Sequence, residues 1–264
     1  MSRIRPIGLA RAAVVFGAGI AFPFLVTPDW LVNIGVFTLM YAGLATAWNL
    51  FSGYTGYISL GQAAFFGIGA YTLAITFNHI SIGGVYRPFY VLPLIGVAVP
   101  QPSFSSNFDR PYYFAMLGIL ALGMLVSWYV RGSKLGLQLL AVREDEEKAR
   151  GLGVRVTGAK LIAWGLHVGL TAMIGAVWGY YLFFIYPESA VDPLVMIGAV
   201  LMTFLGGKGT LWGPMIGALV LVPAQQWALT DFGATRLYLI AYSLVFVVVL
   251  LLLPQGIVPS LRRS

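Results

Sequence analysis

Residues 131–160 read RGSKLGLQLLAVREDEEKARGLGVRVTGAK, and this stretch decides the fold because it is the one densely charged segment of an otherwise apolar chain. It holds seven Lys or Arg residues and four Asp or Glu residues in thirty positions. The sequence on both sides consists mostly of long apolar runs. A membrane leaves such a charged segment in water. We therefore predict that the chain meets its soluble partners through this segment.

The composition predicts an integral membrane protein. The chain has 264 residues, 59% of them hydrophobic and 9% charged, and its mean hydropathy is +0.86. A soluble domain has about 25% charged residues, so a globular protein in water is excluded. Backbone groups in hydrocarbon must bond to each other, which permits helices or a closed barrel. The apolar runs do not alternate with period two, so they predict an all-α protein with one transmembrane domain over residues 1–264.

The lengths of the apolar runs predict about eight transmembrane helices. A spanning helix needs ~20 largely apolar residues. The candidate spans are residues 12–26, 31–51, 58–77, 112–130, 161–185, 193–205, 211–229 and 237–253. Residues 89–100 are also apolar, but a helix of that length rises only about 18 Å. We predict a short re-entrant or interfacial segment there.

Positive charge predicts the orientation of the chain. Cytoplasmic loops carry an excess of Lys and Arg, which places Arg3, Arg5, Arg11, residues 131–160, Arg262 and Arg263 on the cytoplasmic side. Four crossings before the charged segment and four after it satisfy this condition. Both termini are then cytoplasmic, and the loops predicted outside hold the five remaining acids: Asp29, Asp109, Glu188, Asp192 and Asp231.

The net charge of +7 does not require a nucleic acid partner, because the basic residues gather on loops as they do in membrane proteins. The chain has no cysteine and two histidines, so we predict no disulfide, thiolate metal site or histidine-rich metal site. No serine or metal constellation indicates catalysis. We expect no catalytic residue and no cofactor bound by this chain.

Within the charged segment, residues 145–150 predict a short surface helix. Asp145 is a favourable N-cap. Glu144–Lys148 and Glu146–Arg150 have i,i+4 spacing with the acid first, which is the favourable order.

Glycines and apolar residues complete this prediction. Gly151 and Gly153 offer left-handed positions that end the helix. Four residues supply an apolar side for docking: Leu139, Val142, Ala149 and Leu152. The alternative is a solvated loop helix without a partner.

The glycine-rich stretch at residues 53–75, GYTGYISLGQAAFFGIGAYTLAI, is the candidate translocation path. Glycine permits close helix approach and broken helices that line a cavity. The candidate path residues are Asn49, Ser52, Ser59, Gly61, Gln62 and Gly67. The alternative role of the polar ones is hydrogen bonding between helices, worth about 0.6 to 2 kcal/mol each.

His167 is a further path candidate because it lies within a predicted span. A neutral histidine that bonds to a neighbouring helix is the alternative. No membrane-embedded acid accompanies His167 in the sequence, which argues against a proton-driven pump.

Residues 206–218, GGKGTLWGPMIGA, contain a GKGT sequence that fails as a phosphate-binding loop. Such a loop has Ser or Thr directly after its Lys, whereas Gly209 follows Lys208. Three glycine pairs spaced four residues apart predict close-packing helix faces: Gly165 and Gly169, Gly175 and Gly179, and Gly213 and Gly217.

Three segments resemble permeases of branched-chain amino acid ABC importers. Residues 59–71, SLGQAAFFGIGAY, are similar to the family's glycine-rich signature. Lys134-Leu-Gly together with residues 141–153, AVREDEEKARGLG, resembles its cytoplasmic loop. Residues 205–214, LGGKGTLWGP, resemble its late glycine motif. The matches keep their order along most of the chain.

The resemblance implies a permease subunit in the bacterial inner membrane. It implies partners: ABC ATPase subunits that bind ATP, a second related permease subunit, and a periplasmic or extracellular solute-binding protein, all acting at the lipid bilayer. The loop within residues 131–160 would dock on the ATPase as a coupling helix. Its contact residues would be Arg143, Glu144, Asp145, Glu146, Glu147, Lys148, Ala149, Arg150, Gly151 and Gly153.

The substrates implied are branched-chain or other hydrophobic amino acids. Urea or another small polar solute remains an alternative, as does a stand-alone secondary transporter. The region at residues 90–113 is abbreviated relative to the family, which leaves open a shortened, inactive paralogue with a structural role.

Overall fold

The computed structural model of the protein describes residues 6–26, 28–79, 97–98, 109–182, 184–232, 244 and 256–261. Within these ranges the chain forms eleven α-helices, one π-helical turn and a pair of two-residue strands. The helices are α1 (Pro6–Leu25), α2 (Asp29–Trp48), α3 (Gln62–His79), α4 (Asp109–Gly132), α5 (Lys134–Glu144), α6 (Glu146–Gly151), α7 (Val156–Tyr181), α8 (Pro187–Ala190), α9 (Pro193–Gly206), α10 (Gly213–Phe232) and α11 (Ile257–Leu261). The π-helical turn, Asn49–Gly53, continues α2.

Three helical stretches of the described chain are long and apolar enough to cross a membrane. They are Trp30–Gly53, Asp109–Gly132 and Val156–Tyr181, which confirms a helical, membrane-compatible architecture. The helix α9 has 14 residues and rises about 21 Å, less than the ~30 Å hydrocarbon core. The total of eight crossings stays a prediction.

The helix α2 is the centre of the described structure. It packs against α4, α7, α9 and α10, and every residue from 42 to 50 is buried. A helix that is apolar on all sides is typical of a position surrounded by other helices.

Glycines allow α3 and α7 to approach backbone to backbone. A Cβ atom on Gly69 would lie 2.0 Å from the carbonyl oxygen of Ala172, and one on Gly175 would lie 2.0 Å from that of Phe66. A Cβ atom on Gly179 would lie 2.7 Å from the Cβ of Ala70. Gly175 and Gly179 thus form the predicted packing face.

The pair Gly213 and Gly217 packs α10 on α9 in the same way. A Cβ atom on Gly217 would lie 1.8 Å from the Met202 carbonyl oxygen, and one on Gly206 would lie 1.7 Å from that of Gly213. The prediction for Gly165 and Gly169 is wrong within this chain. Both are exposed, and a Cβ atom on either would meet no described residue within 4 Å, because Gly175 and Gly179 supply the contact of α7 with α3.

Two predicted spans have different ends in the structure. The span predicted from residue 58 begins at Gln62, because Gly56, with φ of 80°, turns the chain into a non-helical segment at residues 56–61. The span predicted to end at residue 185 ends at Tyr181, where Leu182 becomes extended.

Little of the abbreviated region belongs to the described residues. Val97–Ala98 pairs antiparallel with Phe184–Ile185. The remainder of the predicted re-entrant segment at 89–100 and nearly all of the predicted span at 237–253 lie outside the described residues.

We expect Gly217→Val to destabilise the protein, because the new side chain would force α9 and α10 apart at the Met202 carbonyl. Overpacking of this kind costs about 1–3 kcal/mol. The measurement is the midpoint of thermal unfolding in detergent, followed by size-exclusion chromatography. Gly165→Val is the matched control, since a Cβ atom there would meet none of the residues that the structure describes within 4 Å. Equal midpoints for the two variants would contradict the described packing of α9 on α10.

Candidate functional site

Asn49 joins the end of α2 to the loop between α9 and α10. Its side-chain nitrogen donates to the carbonyl oxygen of Thr210 at 2.9 Å, and its side-chain oxygen accepts from the backbone N–H of Gly209 at 2.7 Å. Asn49 is 1% exposed. The amide thus satisfies both a donor and an acceptor of the loop, which a buried backbone requires.

Arg143 reaches the same place from the charged segment. Its Nη1 donates to the carbonyl oxygen of Gly53 at 3.2 Å, and a Cβ atom on Gly209 would lie 3.1 Å from that nitrogen. We call this meeting point the glycine junction: Asn49, Gly53, Arg143, Gly209 and Thr210. Its π-helical turn is of a kind that occurs frequently at functional sites.

The other polar path candidates form a buried network beside the junction. The Ser52 hydroxyl accepts from the backbone N–H of Ser59 at 3.1 Å. The Ser59 hydroxyl lies 3.3 Å from Nε2 of His167. Gln62 donates from Nε2 to the Leu44 carbonyl oxygen at 2.9 Å, and its Nε2 lies 3.5 Å from the Thr171 hydroxyl. These bonds connect α2, α3 and α7.

The polar path candidates are buried and hydrogen-bonded in this structure. Ser52, Ser59, Gln62 and His167 are each at most 8% exposed, and each bonds to another part of the chain. The hydrogen-bonding alternative therefore describes the present conformation. Their role in translocation stays a prediction.

The two glycine candidates lie apart from this network. Gly67 is buried, and a Cβ atom on it would lie 2.8 Å from the carbonyl oxygen of Ala190. Gly61 is exposed in the segment before α3.

The charged segment is a helical hairpin broken at Asp145. This residue is extended, with φ of −162° and ψ of 112°, and its side chain caps α6 by accepting from the N–H of Lys148 at 3.0 Å. The predicted cap is confirmed. The predicted Glu144–Lys148 pair is wrong, because the break at Asp145 removes the i,i+4 geometry. Lys148 pairs with Asp145 instead, at 2.9 Å.

Glu146 fastens the segment to the body of the protein. It pairs with Arg150 at 3.0 Å, as predicted, and also accepts hydrogen bonds from Lys160 and Tyr57. The bond from Lys160, followed by that from Tyr57, lowers the pKa of the Glu146 carboxyl. The bond from the N–H of Lys148 lowers the pKa of Asp145. Both groups are therefore carboxylates at neutral pH.

Most of the predicted apolar docking side is used inside the chain. Leu139, Val142 and Ala149 are each at most 3% exposed, and Ala149 packs with Val142 and Val156. This part of the prediction is wrong because the hairpin folds back on α7. Leu152, 85% exposed, is the apolar side chain that the C-terminal end of α6 presents.

The end of α6 also differs in detail from the prediction. Gly153 has the left-handed conformation, with φ of 84°, whereas Gly151 remains helical. The remaining predicted contact residues Glu144, Glu147, Lys148 and Arg150 are exposed.

A cavity of about 810 Å³ lies between α1, α2, α4 and α10, away from the polar network. Among the described residues that line it, most are apolar or aromatic, three have uncharged polar side chains, and none is charged. The lining includes Phe22, Trp30, Asn33, Thr38, Gln226 and Trp227.

Sequence reasoning missed several members of this site. Gly209 and Thr210 belong to the motif rejected as a phosphate-binding loop, yet they bind Asn49. Tyr57 and Lys160 hold Glu146, and Thr171 contacts Gln62. The position of Tyr57 within the glycine-rich motif was the available sequence signal for it. Its partner Glu146 is 89 residues away in the sequence, so the contact itself could not be predicted.

Comparison with known proteins identifies relatives along most of the chain. The chain is 24% identical to the high-affinity branched-chain amino acid transport system permease protein LivM of Salmonella typhimurium, over 92% of this chain and 73% of that protein. The identity to LivM of Escherichia coli is 23% with the same coverage. The chain is 29% identical to the autoinducer 2 import system permease protein LsrC of Salmonella typhi, over 52% of this chain and 42% of that protein. No solved structure matches this chain.

The length of the LivM alignment bears on the abbreviated region. It spans 318 positions, whereas the whole chain has 264 residues, so more than fifty positions hold no residue of this chain. A shortening relative to such permeases is therefore real, and its placement at residues 90–113 stays a prediction.

The sequence profile of the family described as branched-chain amino acid transport system permease component matches residues 82–253, which is more than half of the chain. The chain belongs to this family of transport permeases.

Proposed function

We propose that this chain is a permease subunit of an ATP-binding-cassette importer in the bacterial inner membrane, translocating branched-chain or other hydrophobic amino acids. The geometry of the charged segment carries the proposal. It is a capped hairpin outside the apolar stretches, with Leu152 exposed at the C-terminal end of α6 and Arg143 bonded to Gly53 at the end of the π-helical turn. A partner that displaces this hairpin acts on the membrane helices directly.

On this proposal, the energy for transport comes from a separate subunit. Lys208 is followed by Gly209 in a loop between two apolar helices, which is not a phosphate-binding loop. The chain is then not an enzyme, and ATP is hydrolysed in separate ATPase subunits. A second permease and a solute-binding protein complete the importer, as the family resemblance implies.

The substrate class is supported by the cavity and by the relatives. Apolar walls with uncharged polar groups suit a neutral or zwitterionic solute with an apolar side chain. The LivM relatives are named for branched-chain amino acid transport. The LsrC relatives are named for autoinducer 2 import, which favours a small polar solute as the second candidate.

Transport should require the partners. Reconstituted alone in liposomes, the chain should move no radiolabelled leucine or urea. With an ATPase, a second permease and a binding protein encoded beside it, leucine uptake should follow ATP addition. Uptake by the chain alone under an ion gradient would contradict the proposal and favour a secondary transporter. A complete complex that binds the ATPase but transports nothing would indicate an inactive paralogue.

Leu152→Ala should weaken co-purification of the ATPase about tenfold, because a leucine buried at an interface contributes about 1.5–3 kcal/mol. The side chain is 85% exposed, so the fold should be unaffected. Leu137→Ala is the matched control: it is 68% exposed in α5, outside the proposed contact at residues 143–153. Glu146 is unsuitable for this test because it holds Lys160 and Arg150. Equal ATPase recovery with both variants would place the docking contact elsewhere.

Orientation is testable because the chain has no cysteine. We propose that both termini and the charged segment face the cytoplasm. In intact cells, Glu188→Cys should react with a membrane-impermeant maleimide, and Lys148→Cys should react after the inner face is opened. Both positions are exposed. Labelling of Lys148→Cys in intact cells would reverse the proposed orientation.

A further inference from the structure

Arg143 is exposed near the end of α5, and its guanidinium reaches the end of the π-helical turn. Its Nη1 donates to the Gly53 carbonyl oxygen at 3.2 Å. A Cβ atom on Gly209 would lie 3.1 Å from Nη1, and one on Gly56 would lie 3.2 Å from Cγ of Arg143. The side chain therefore lies against three glycines from two segments that are far apart in sequence.

Arg143 binds a carbonyl oxygen although acidic residues lie next to it in the sequence. Four acidic residues follow Arg143 directly, at positions 144–147. None of the three ion pairs in the described part of the chain includes Arg143. Its guanidinium instead binds a neutral carbonyl at the last residue of the π-helical turn. A hydrogen bond from a charged donor is stronger than one between neutral groups.

The contact completes a continuous connection across the glycine junction. Arg143 holds Gly53, which ends the π-helical turn that begins at Asn49. Asn49 in turn holds Gly209 and Thr210. At the other end, α6 is fastened by Glu146 to Lys160 of α7. A displacement of the hairpin thus reaches the π-helical turn and the α9–α10 loop through Arg143, next to the Tyr57–Glu146 hydrogen bond and the packing of Leu139 with Tyr54.

We propose that Arg143 is a positioning residue that transmits movement of the hairpin α5–α6 to the π-helical turn and to residues 207–210, and that it does not dock the ATPase. This inference rests on the proposed function. A π-helical turn carries one extra residue in an otherwise α-helical register, so it is a place where α2 can change length between two discrete arrangements. Such a two-state element is what coupling between distant sites requires.

Hydrogen–deuterium exchange tests the contact in the full chain in lipid nanodiscs, without any partner. In Arg143→Ala, exchange should rise about fivefold in peptides covering residues 49–56 and 206–212, because a charge-assisted bond that restrains local opening is lost. Arg143→Lys should give a smaller rise, since the lysine amine can still donate to the Gly53 carbonyl oxygen. Arg150→Ala is the control, because Arg150 is exposed and pairs with Glu146. Unchanged exchange in both peptides, or an equal rise throughout the chain, overturns the proposal.

Transport in the reconstituted importer tests the consequence. Arg143→Ala should retain ATPase co-purification and ATP hydrolysis, while the solute moved per ATP falls about fivefold, by the same weakening of the contact. A loss of ATPase binding as large as that of Leu152→Ala would make Arg143 a docking residue and overturn the proposal. If the unaltered complex moves no solute, the proposed function fails, and the exchange result alone decides whether Arg143 positions the junction.

Discussion

Asn49 lies where α2 passes into its π-helical turn, and its side-chain amide binds the backbone of a loop 160 residues later in the chain. A loop cannot be buried between apolar helices unless its N–H and carbonyl groups find partners. Asn49 provides one of each, to Gly209 and Thr210. The loop between α9 and α10 can therefore pack against the end of α2. The Arg143 guanidinium reaches the same point from the charged segment.

Glycine makes the same arrangement possible sterically. A Cβ atom on Gly53 would lie 2.0 Å from the side-chain oxygen of Asn49, so the amide could not occupy its place. Gly209, with φ of 76°, adopts a conformation that other residues rarely take. The family-like glycine motifs are thus explained by two local requirements: room for a buried amide, and close approach of helix backbones at Gly175 and Gly217.

The sequence predicted features that depend on neighbours along the chain. The apolar runs predicted helices, Asp145 was identified as a cap, and Glu146–Arg150 was identified as a pair, because each depends on spacing within a few residues. The Glu144–Lys148 pair failed since the cap that Asp145 forms also breaks the helix. Contacts between distant segments could not be predicted from the sequence. Residue spacing does not show which face of α7 meets α3, so Gly165 and Gly175 looked equivalent. Burial of Leu139, Val142 and Ala149 likewise follows from the hairpin folding on α7, which no local pattern specifies.

The hairpin is attached to two groups of helices. Glu146 and the buried Ala149 join it to α7, which the glycines lock to α3 as one unit. Arg143 joins it to the end of α2, which carries the α9–α10 loop through Asn49. The attachment to α7 combines the Glu146–Lys160 ion pair with apolar burial. The attachment at the end of α2 combines the Arg143 hydrogen bond with the Tyr57–Glu146 hydrogen bond and the packing of Leu139 against Tyr54. On the proposed function, a push on the hairpin therefore reaches both the α3–α7 pair and the end of α2, and the Arg143 contact is the part of the second attachment that also lies beside Gly209.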